Sequence, residues 1–346
     1  MEMSPLPAPL AALAAAQPTL FWPFALALSL ALLMRGADHF TEAAETIGRA
    51  AGLSPFIVGV VIVAFGTSLP ELVASVAAVV RDASEIVMGN VLGSNIANLG
   101  LVLGLGAVVA GRLEIRRRVG DLDLPLLAAA TLLATLMALD GRIVRLEAVL
   151  LIAALAVYVH VGLDDHDDDA FALDGDGDGD GDGDGDGDGD GTPAAPAGVV
   201  RAVLVLALSG AVIWLAAEGT VRSVVEIAAL FAIATETIAA TAVAIGTSLP
   251  EVAVTLLAAR RGRAEMAAGN IIGSNVFNLL AVVGVSGLVG PLAVPASLVT
   301  LALPTMAGIT VVAMIMLATR VVSRAEGAFL LLIYGWFLAA VTGFAS

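Results

Sequence analysis

Six consecutive residues occur twice in this chain. Gly66-Thr67-Ser68-Leu69-Pro70-Glu71 returns unchanged as Gly246-Thr247-Ser248-Leu249-Pro250-Glu251, 180 positions later. A second pattern, Gly89-Asn90, Gly93-Ser94-Asn95 and Asn98-Leu99, returns at the same displacement as Gly269-Asn270, Gly273-Ser274-Asn275 and Asn278-Leu279. Two separate motifs that share one offset mark a duplicated unit, so the chain must fold as two related halves.

Those halves are built for lipid. Of the 346 residues, 59% are hydrophobic and 14% charged, whereas soluble domains run near 45–50% apolar and about 25% charged. Mean hydropathy is +0.98. A membrane span needs roughly 20 apolar residues, and ten runs are candidates: about 18–46, 54–80, 86–110, 120–139 and 143–163, then 198–228, 233–259, 265–290, 296–318 and 325–345. The predicted fold class is an all-α membrane protein of ten transmembrane helices, five in residues 1–163 and five in 198–346. An odd number of spans per repeat turns the second half upside down, which makes the two repeats inverted in topology.

The arginines orient the bundle. Arg49, Arg112, Arg116, Arg117, Arg118, Arg201, Arg260, Arg261, Arg263, Arg320 and Arg324 fall on the side of the central loop. Only Arg81, Arg142, Arg145 and Arg222 fall opposite, with Arg35 inside the first span. The positive-inside rule then puts the central loop in the cytoplasm and both termini outside the cell membrane. Glu2 stands where a cleaved signal would carry positive charge, so no such signal is expected.

Charge and residue usage exclude several classes. The net charge is −16, but Asp164, Asp165, Asp167, Asp168, Asp169 and the nine even-numbered aspartates from Asp174 to Asp190 lie in one tract. The remaining 18 acids nearly balance 16 bases, all of them arginine, so no nucleic-acid partner is indicated. The Asp-Gly alternation within 164–197 is expected to be a disordered cytoplasmic linker. Its opening imitates a calcium-binding EF-hand loop, yet the twelfth position is Gly185 rather than glutamate. With no cysteine, disulfides, thiolate metal sites and cysteine nucleophiles are absent. His39, His160 and His166 are too scattered for zinc, and no serine, histidine and acid converge to make Ser68 a hydrolase nucleophile. No enzyme, cofactor or obligate protein partner is expected.

The motifs carry the chemistry. Pro70 and Pro250 lack an N–H, which releases the carbonyls of Gly66 and Gly246 in mid-helix. Free carbonyls in hydrocarbon cost several kcal/mol each unless something polar meets them. Glu71 and Glu251 add carboxylates where ionised groups mark function by default. Thr67 and Glu71 are four apart on one helical face, as are Thr247 and Glu251, Ser94 and Asn98, Ser274 and Asn278. Gly89 with Gly93, and Gly269 with Gly273, are small-residue seams for close helix approach. The result is a pocket of carboxylates, hydroxyls, amide oxygens and carbonyls with no sulfur or imidazole. That is the ligand set of a hard cation, and its charge of −2 suits one divalent ion or partly matches several sodium ions. Taken alone, Ser94 and Ser274 also fit simple helix–helix hydrogen bonds. Glu42, Glu45, Glu218 and Glu226 lie near span ends, and Asp38 has Arg35 and His39 as local partners.

The doubled Gly-Thr-Ser-Leu-Pro-Glu, each followed by Gly-Asn-x-x-Gly-Ser-Asn, resembles the two alpha repeats of the sodium/calcium exchanger family, within the calcium:cation antiporter superfamily. The resemblance spans the chain outside its central tract. It implies ten helices in two inverted halves, the second and seventh broken at the motif, with the first and sixth sliding across a core. It also implies that Glu71 and Glu251 coordinate calcium, with Thr67, Ser68, Thr247 and Ser248 as oxygen ligands for calcium and sodium. The carbonyls of Ala64 and Ala244, with Ser94 and Ser274, look like sodium ligands, and Asn98 like a central residue. Asn278 stands where many relatives carry aspartate, which leaves two acids in the pocket and argues against a potassium-coupled mode. The expected function is antiport of Ca2+ against Na+ by alternating access. A Ca2+/H+ antiporter using the same glutamates, a passive cation channel and an ion-sensing receptor are the alternatives.

Overall fold

The computed structural model describes residues 8–80, 82–115, 123–164, 196–230 and 248–342. The Asp-Gly tract therefore lies outside the described residues, as do Ala244 and Thr247. Eleven helices are described: α1 (Ala8–Ala16), α2 (Pro18–Ala50), α3 (Pro55–Val80), α4 (Glu85–Ala110), α5 (Asp123–Ala138), α6 (Arg145–Asp164), α7 (Pro196–Leu230), α8 (Leu249–Arg260), α9 (Ala264–Val289), α10 (Leu298–Ala318) and α11 (Arg324–Val341). Seven helices among the described residues are long and apolar enough to cross a membrane: α2, α3, α4, α9, α10, α11 and, within α7, Gly198–Ile227.

Local signals set the helix ends. α2 opens on Pro18, whose fixed φ suits the first helical turn. α3 opens on Pro55, with Ser54 Oγ accepting from Ile57 N–H at 3.3 Å. α3 and α8 close alike. Ala83 N–H donates to Ala78 O at 2.9 Å across Asp82 (φ 57°), and Arg263 N–H donates to Ala258 O at 2.9 Å across Gly262 (φ 71°). Both turns need a residue in the left-handed region, which glycine adopts freely and aspartate more readily than most others. These caps sit 180 positions apart, so the duplication is visible in backbone geometry.

Burial separates an inner from an outer layer. In α4 and α9, 78% and 83% of the most apolar stretch is buried, against 22% in α2. α2 and α7 pack along each other on the outside of the inner helices, and α9 packs on the first half of α3. The membrane-facing surfaces of α2 and α7 keep Leu28, Leu32, Val203 and Leu208 exposed, which is the pattern lipid requires.

Two features differ from an all-helical expectation. Four short strands join loops of opposite halves: Arg112–Glu114 pairs antiparallel with Val321–Ser323, and Arg142–Ile143 with Leu292–Ala293. Each ladder satisfies loop backbone groups and ties one half to the other at one end of the bundle. Asp38 pairs not with Arg35 or His39 but with Arg261, which also meets Glu42 at 3.0 Å, while Arg263 meets Glu45 at 2.7 Å. The acids recur on one stripe of α2, and the α8–α9 turn supplies arginines that sequence neighbours do not.

Candidate functional site

The first motif lies inside α3. A π-helical turn over Val58–Val63 leads directly into Ala64, and the chain stays helical through Pro70 to Val80. The break expected in the second span is therefore absent. Within membrane helices a proline is tolerated where packing and local helical adjustments absorb the lost hydrogen bond, and here the distortion sits upstream as the π turn. The second motif is placed differently. α8 begins at Leu249, Ser248 precedes it with φ −92° and ψ 3°, and Pro250 and Glu251 occupy the first turn. A proline there sacrifices an N–H that has no intrahelical partner in any case, and a carboxylate there faces the positive end of the helix dipole.

The second pattern forms the inner wall. Ser94 and Asn95 lie on α4 and Ser274 and Asn275 on α9, and both helices switch to a π turn at the following asparagine, over Asn98–Val102 and Asn278–Val282. π turns inside α-helices are rare and concentrate at functional sites. The close seam forms where α9 meets α3. A Cβ at Gly273 would lie 2.8 Å from Val60 O and 2.8 Å from Ala64 Cβ, so only glycine lets α9 rest against the π turn of α3.

Contacts across the halves bring the motifs together. Ser68 Oγ donates to Glu251 Oε1 at 3.2 Å. The Thr67 hydroxyl lies 3.3 Å from Ala64 O and 3.4 Å from Asn270 Oδ1, sharing one proton between them. Asn270 Nδ2 donates to Thr255 Oγ1 at 2.8 Å, and its counterpart Asn90 Nδ2 reaches Ser75 Oγ at 3.5 Å. Asn278 Nδ2 donates to Asn95 Oδ1 at 3.1 Å.

Several polar atoms in this cluster have no partner among the described residues. Both oxygens of Glu71, Oε2 of Glu251, the hydroxyls of Ser248 and Ser274, both amide atoms of Asn98 and Oδ1 of Asn278 are buried without a hydrogen bond. These six residues, with Ala64, Thr67, Ser68 and Ser94, are each 3% exposed or less. An unsatisfied buried polar atom costs about 1–3 kcal/mol, so a concentration of them calls for a ligand. Among the described residues no three His, Cys, Asp or Glu side chains gather; the cluster holds two carboxylates surrounded by neutral oxygens. A cavity of about 10 Å³, room for roughly one water, lies between Thr67, Pro70 and Pro250 of the motifs and Phe40, Gly210 and Trp214 of α2 and α7. The outer helix pair thus covers the site.

Ten of the twelve residues singled out from sequence fall in this region, and Ala244 and Thr247 lie outside the described residues. Sequence reasoning gave no role to Asn90, Asn95 and Asn270, although all three belong to the repeated pattern. Ser75 and Thr255, which meet Asn90 and Asn270, stand at the same 180-residue displacement; their shared hydroxyl was the available signal.

Duplicated membrane helices that meet on a buried polar site define a class, the membrane ion transporters built from internal repeats. Within it, the chain belongs to the sodium/calcium exchanger family: the family model described as "Sodium/calcium exchanger protein" matches residues 21–162 and 201–343. It is similar to sodium/calcium exchanger MaX1 of Methanosarcina acetivorans, 35% identical over 343 residues, covering 91% of this chain and 97% of that protein. It is also similar to the putative antiporter CaxA of Alkalimonas amylolytica, 33% identical over 276 residues, covering 76% of this chain and 79% of that one. A solved structure of the sodium-calcium exchanger NCX_Mj superimposes with a TM-score of 0.75 at 26% identity, covering 92% of this chain and 98% of the other.

Proposed function

We propose that this protein is a secondary antiporter that moves Ca2+ against Na+ across the cell membrane by alternating access. Glu71 and Glu251 are the carboxylates that grip the divalent ion. One observation carries the reading: Ser68 of the first motif bonds Glu251 of the second at 3.2 Å, so the two acidic motifs share one buried pocket. Oxygens without partners on Glu71, Glu251, Ser248, Ser274, Asn98 and Asn278 supply the kind of shell that calcium takes, about 6–8 oxygens. Thr67, Ser68 and Ser94, the carbonyl of Ala64, and Thr247 and Ala244 of the second motif complete the set for calcium and sodium. The family and its relatives named as a sodium/calcium exchanger and a putative antiporter support the cargo and the mode of transport.

Charge explains why exchange is coupled. A pocket with two ionised glutamates and no cation carries −2, which is costly to move through lipid, whereas calcium or sodium in the site brings it near neutrality. Only occupied forms then cross, and each outward ion requires an inward one. Ten spans in two inverted halves, with the central loop cytoplasmic and both termini outside, suit this scheme. The ladders support it by pairing loops that the ten-span order puts on the same side, 112–114 with 321–323 and 142–143 with 292–293.

The test is radioactive calcium flux into proteoliposomes under an imposed sodium gradient. Sodium-driven uptake that ignores an imposed pH gradient is the expected result; uptake that follows the pH gradient instead assigns the counter-ion to protons. Glu71→Gln and Glu251→Gln are each expected to abolish uptake while leaving insertion and elution as a monodisperse species intact. Wild-type rates in either variant refute the site.

A further inference from the structure

Asn95 stands outside the set of ion ligands proposed above, yet it touches one of them. Its Nδ2 lies 3.2 Å from the backbone carbonyl of Asn275, and its Oδ1 lies 3.1 Å from Nδ2 of Asn278. Asn95 and Asn278 are each 1% exposed, so bulk water does not compete for these contacts.

The direction of this chain of bonds is forced. A backbone carbonyl can only accept, so the Asn95 atom facing it must be the nitrogen. The other end of the Asn95 amide is then its oxygen, which can only accept, and Asn278 must meet it with nitrogen. One amide atom of Asn278 remains, its Oδ1, and that atom is buried with no partner. The carbonyl at the end of the chain thus settles which atom of each amide faces which neighbour.

We infer that Asn95 is a positioning residue that turns the Asn278 side chain so that its oxygen, and not its amino group, faces the cation pocket. The inference rests on the function proposed above. The difference matters chemically, since an amide oxygen attracts a cation while an amino group repels it. A carboxylate presents oxygen in any rotamer. A neutral asparagine does so only in one of two, and the relay through Asn95 selects it. The device belongs to one half of the duplicated pattern. In the equivalent place, Asn275 Nδ2 donates instead to Ile271 O on its own helix at 2.7 Å, and both amide atoms of Asn98 are left without a partner. The fixed oxygen thus enters from α9, and among the described residues no hydrogen bond selects which atom of Asn98 faces inward.

The test is a double-mutant cycle on the full chain in detergent, with equilibrium binding of radioactive calcium as the first readout. Asn95→Ala is expected to raise the calcium dissociation constant about three- to tenfold, the loss that one hydrogen bond's worth of orientation implies. Asn278→Ala is expected to raise it at least as much, and Asn95→Ala added to Asn278→Ala is expected to change it no further. A purely structural role for Asn95 does not give that pattern, because its effect would persist without Asn278. Multiplying effects in the double variant, or an unchanged constant in Asn95→Ala, overturn the inference. The second readout is thermal unfolding of the same four proteins in cation-free buffer, which measures Asn95–Asn278 coupling without any ion. If the wild type binds no calcium, the proposed function fails, and the unfolding cycle still decides whether the relay exists: coupling sustains it and strict additivity removes it.

Discussion

The two copies of Gly-Thr-Ser-Leu-Pro-Glu are identical in sequence and unlike in surroundings. The first runs through the middle of α3, and both oxygens of Glu71 lack a partner. Of the second, Ser248 to Glu251 are described, and Glu251 sits in the first turn of α8 and accepts from Ser68. The asparagines differ in the same sense: Asn278 donates to Asn95, whereas Asn98 has no hydrogen-bond partner among the described residues. Duplication therefore sets the inventory of donors and acceptors, while contacts between the halves decide which oxygens remain for a ligand. If the protein works by alternating access, as proposed above, this inequality has a purpose. A site that opens to each side in turn requires the halves to differ at any one moment, so equal motifs must sit in unequal positions.

The serines offer the sharpest way to break that comparison. Ser68→Ala removes the hydrogen bond that Glu251 Oε1 receives, whereas Ser248→Ala removes a buried hydroxyl with no partner. Leaving a buried acceptor unsatisfied costs about 1–3 kcal/mol, and an unpartnered hydroxyl contributes close to nothing or less. In cation-free buffer Ser68→Ala should lower the unfolding temperature by several degrees and Ser248→Ala should leave it near wild type. Equal shifts would mean that the two motifs are equivalent in solution and that the asymmetry is not held by this bond.

The glycine seam between α9 and α3 tests the packing behind the site. A methyl at Gly269 would press on Phe56 O and come within 3.2 Å of Gly59 Cα, both backbone atoms that cannot move aside. Overpacking against backbone costs about 1–3 kcal/mol. Gly269→Ala is therefore expected to lower yield and melting temperature clearly below wild type, measured by thermal unfolding monitored through size-exclusion chromatography.

Much of this architecture could be read before any coordinates, and for a plain reason. A span needs a long apolar run, so the runs at about 86–110 and 265–290 match α4 (Glu85–Ala110) and α9 (Ala264–Val289) within a residue or so. Glu71, Glu251, Ser248, Ser274, Asn98 and Asn278 declared themselves because polar groups are retained in lipid only for cause. What stayed hidden depends on distant partners. The ladders join two- and three-residue strands about 150–210 positions apart, too short for any periodic signal. The partner of Asp38 is Arg261 rather than its neighbours, because the side chains of a helix stripe meet whatever packs on that stripe. The π turns at Asn98 and Asn278 carry no residue preference that marks them in advance. The unequal setting of identical motifs could not be read at all, since identical strings predict identical structures.

The smallest expected difference lies behind the site. Asn270 on α9 reaches Thr67 on α3 through its oxygen, at 3.4 Å, and donates to Thr255 on α8 at 2.8 Å, so one buried amide links three helices. In the other half the bond from Asn90 to Ser75 is 3.5 Å long, at the limit of a useful hydrogen bond. Thr255→Ala would leave a buried N–H with no partner and let the Asn270 amide turn away from Thr67. Ser75→Ala would forfeit far less. A cost of about 1 kcal/mol for the first and a few tenths for the second follows from the usual worth of such bonds. Thermal unfolding resolves that difference, and calcium binding adds a second comparison. Thr255→Ala should weaken binding about twofold relative to the wild type, through Thr67.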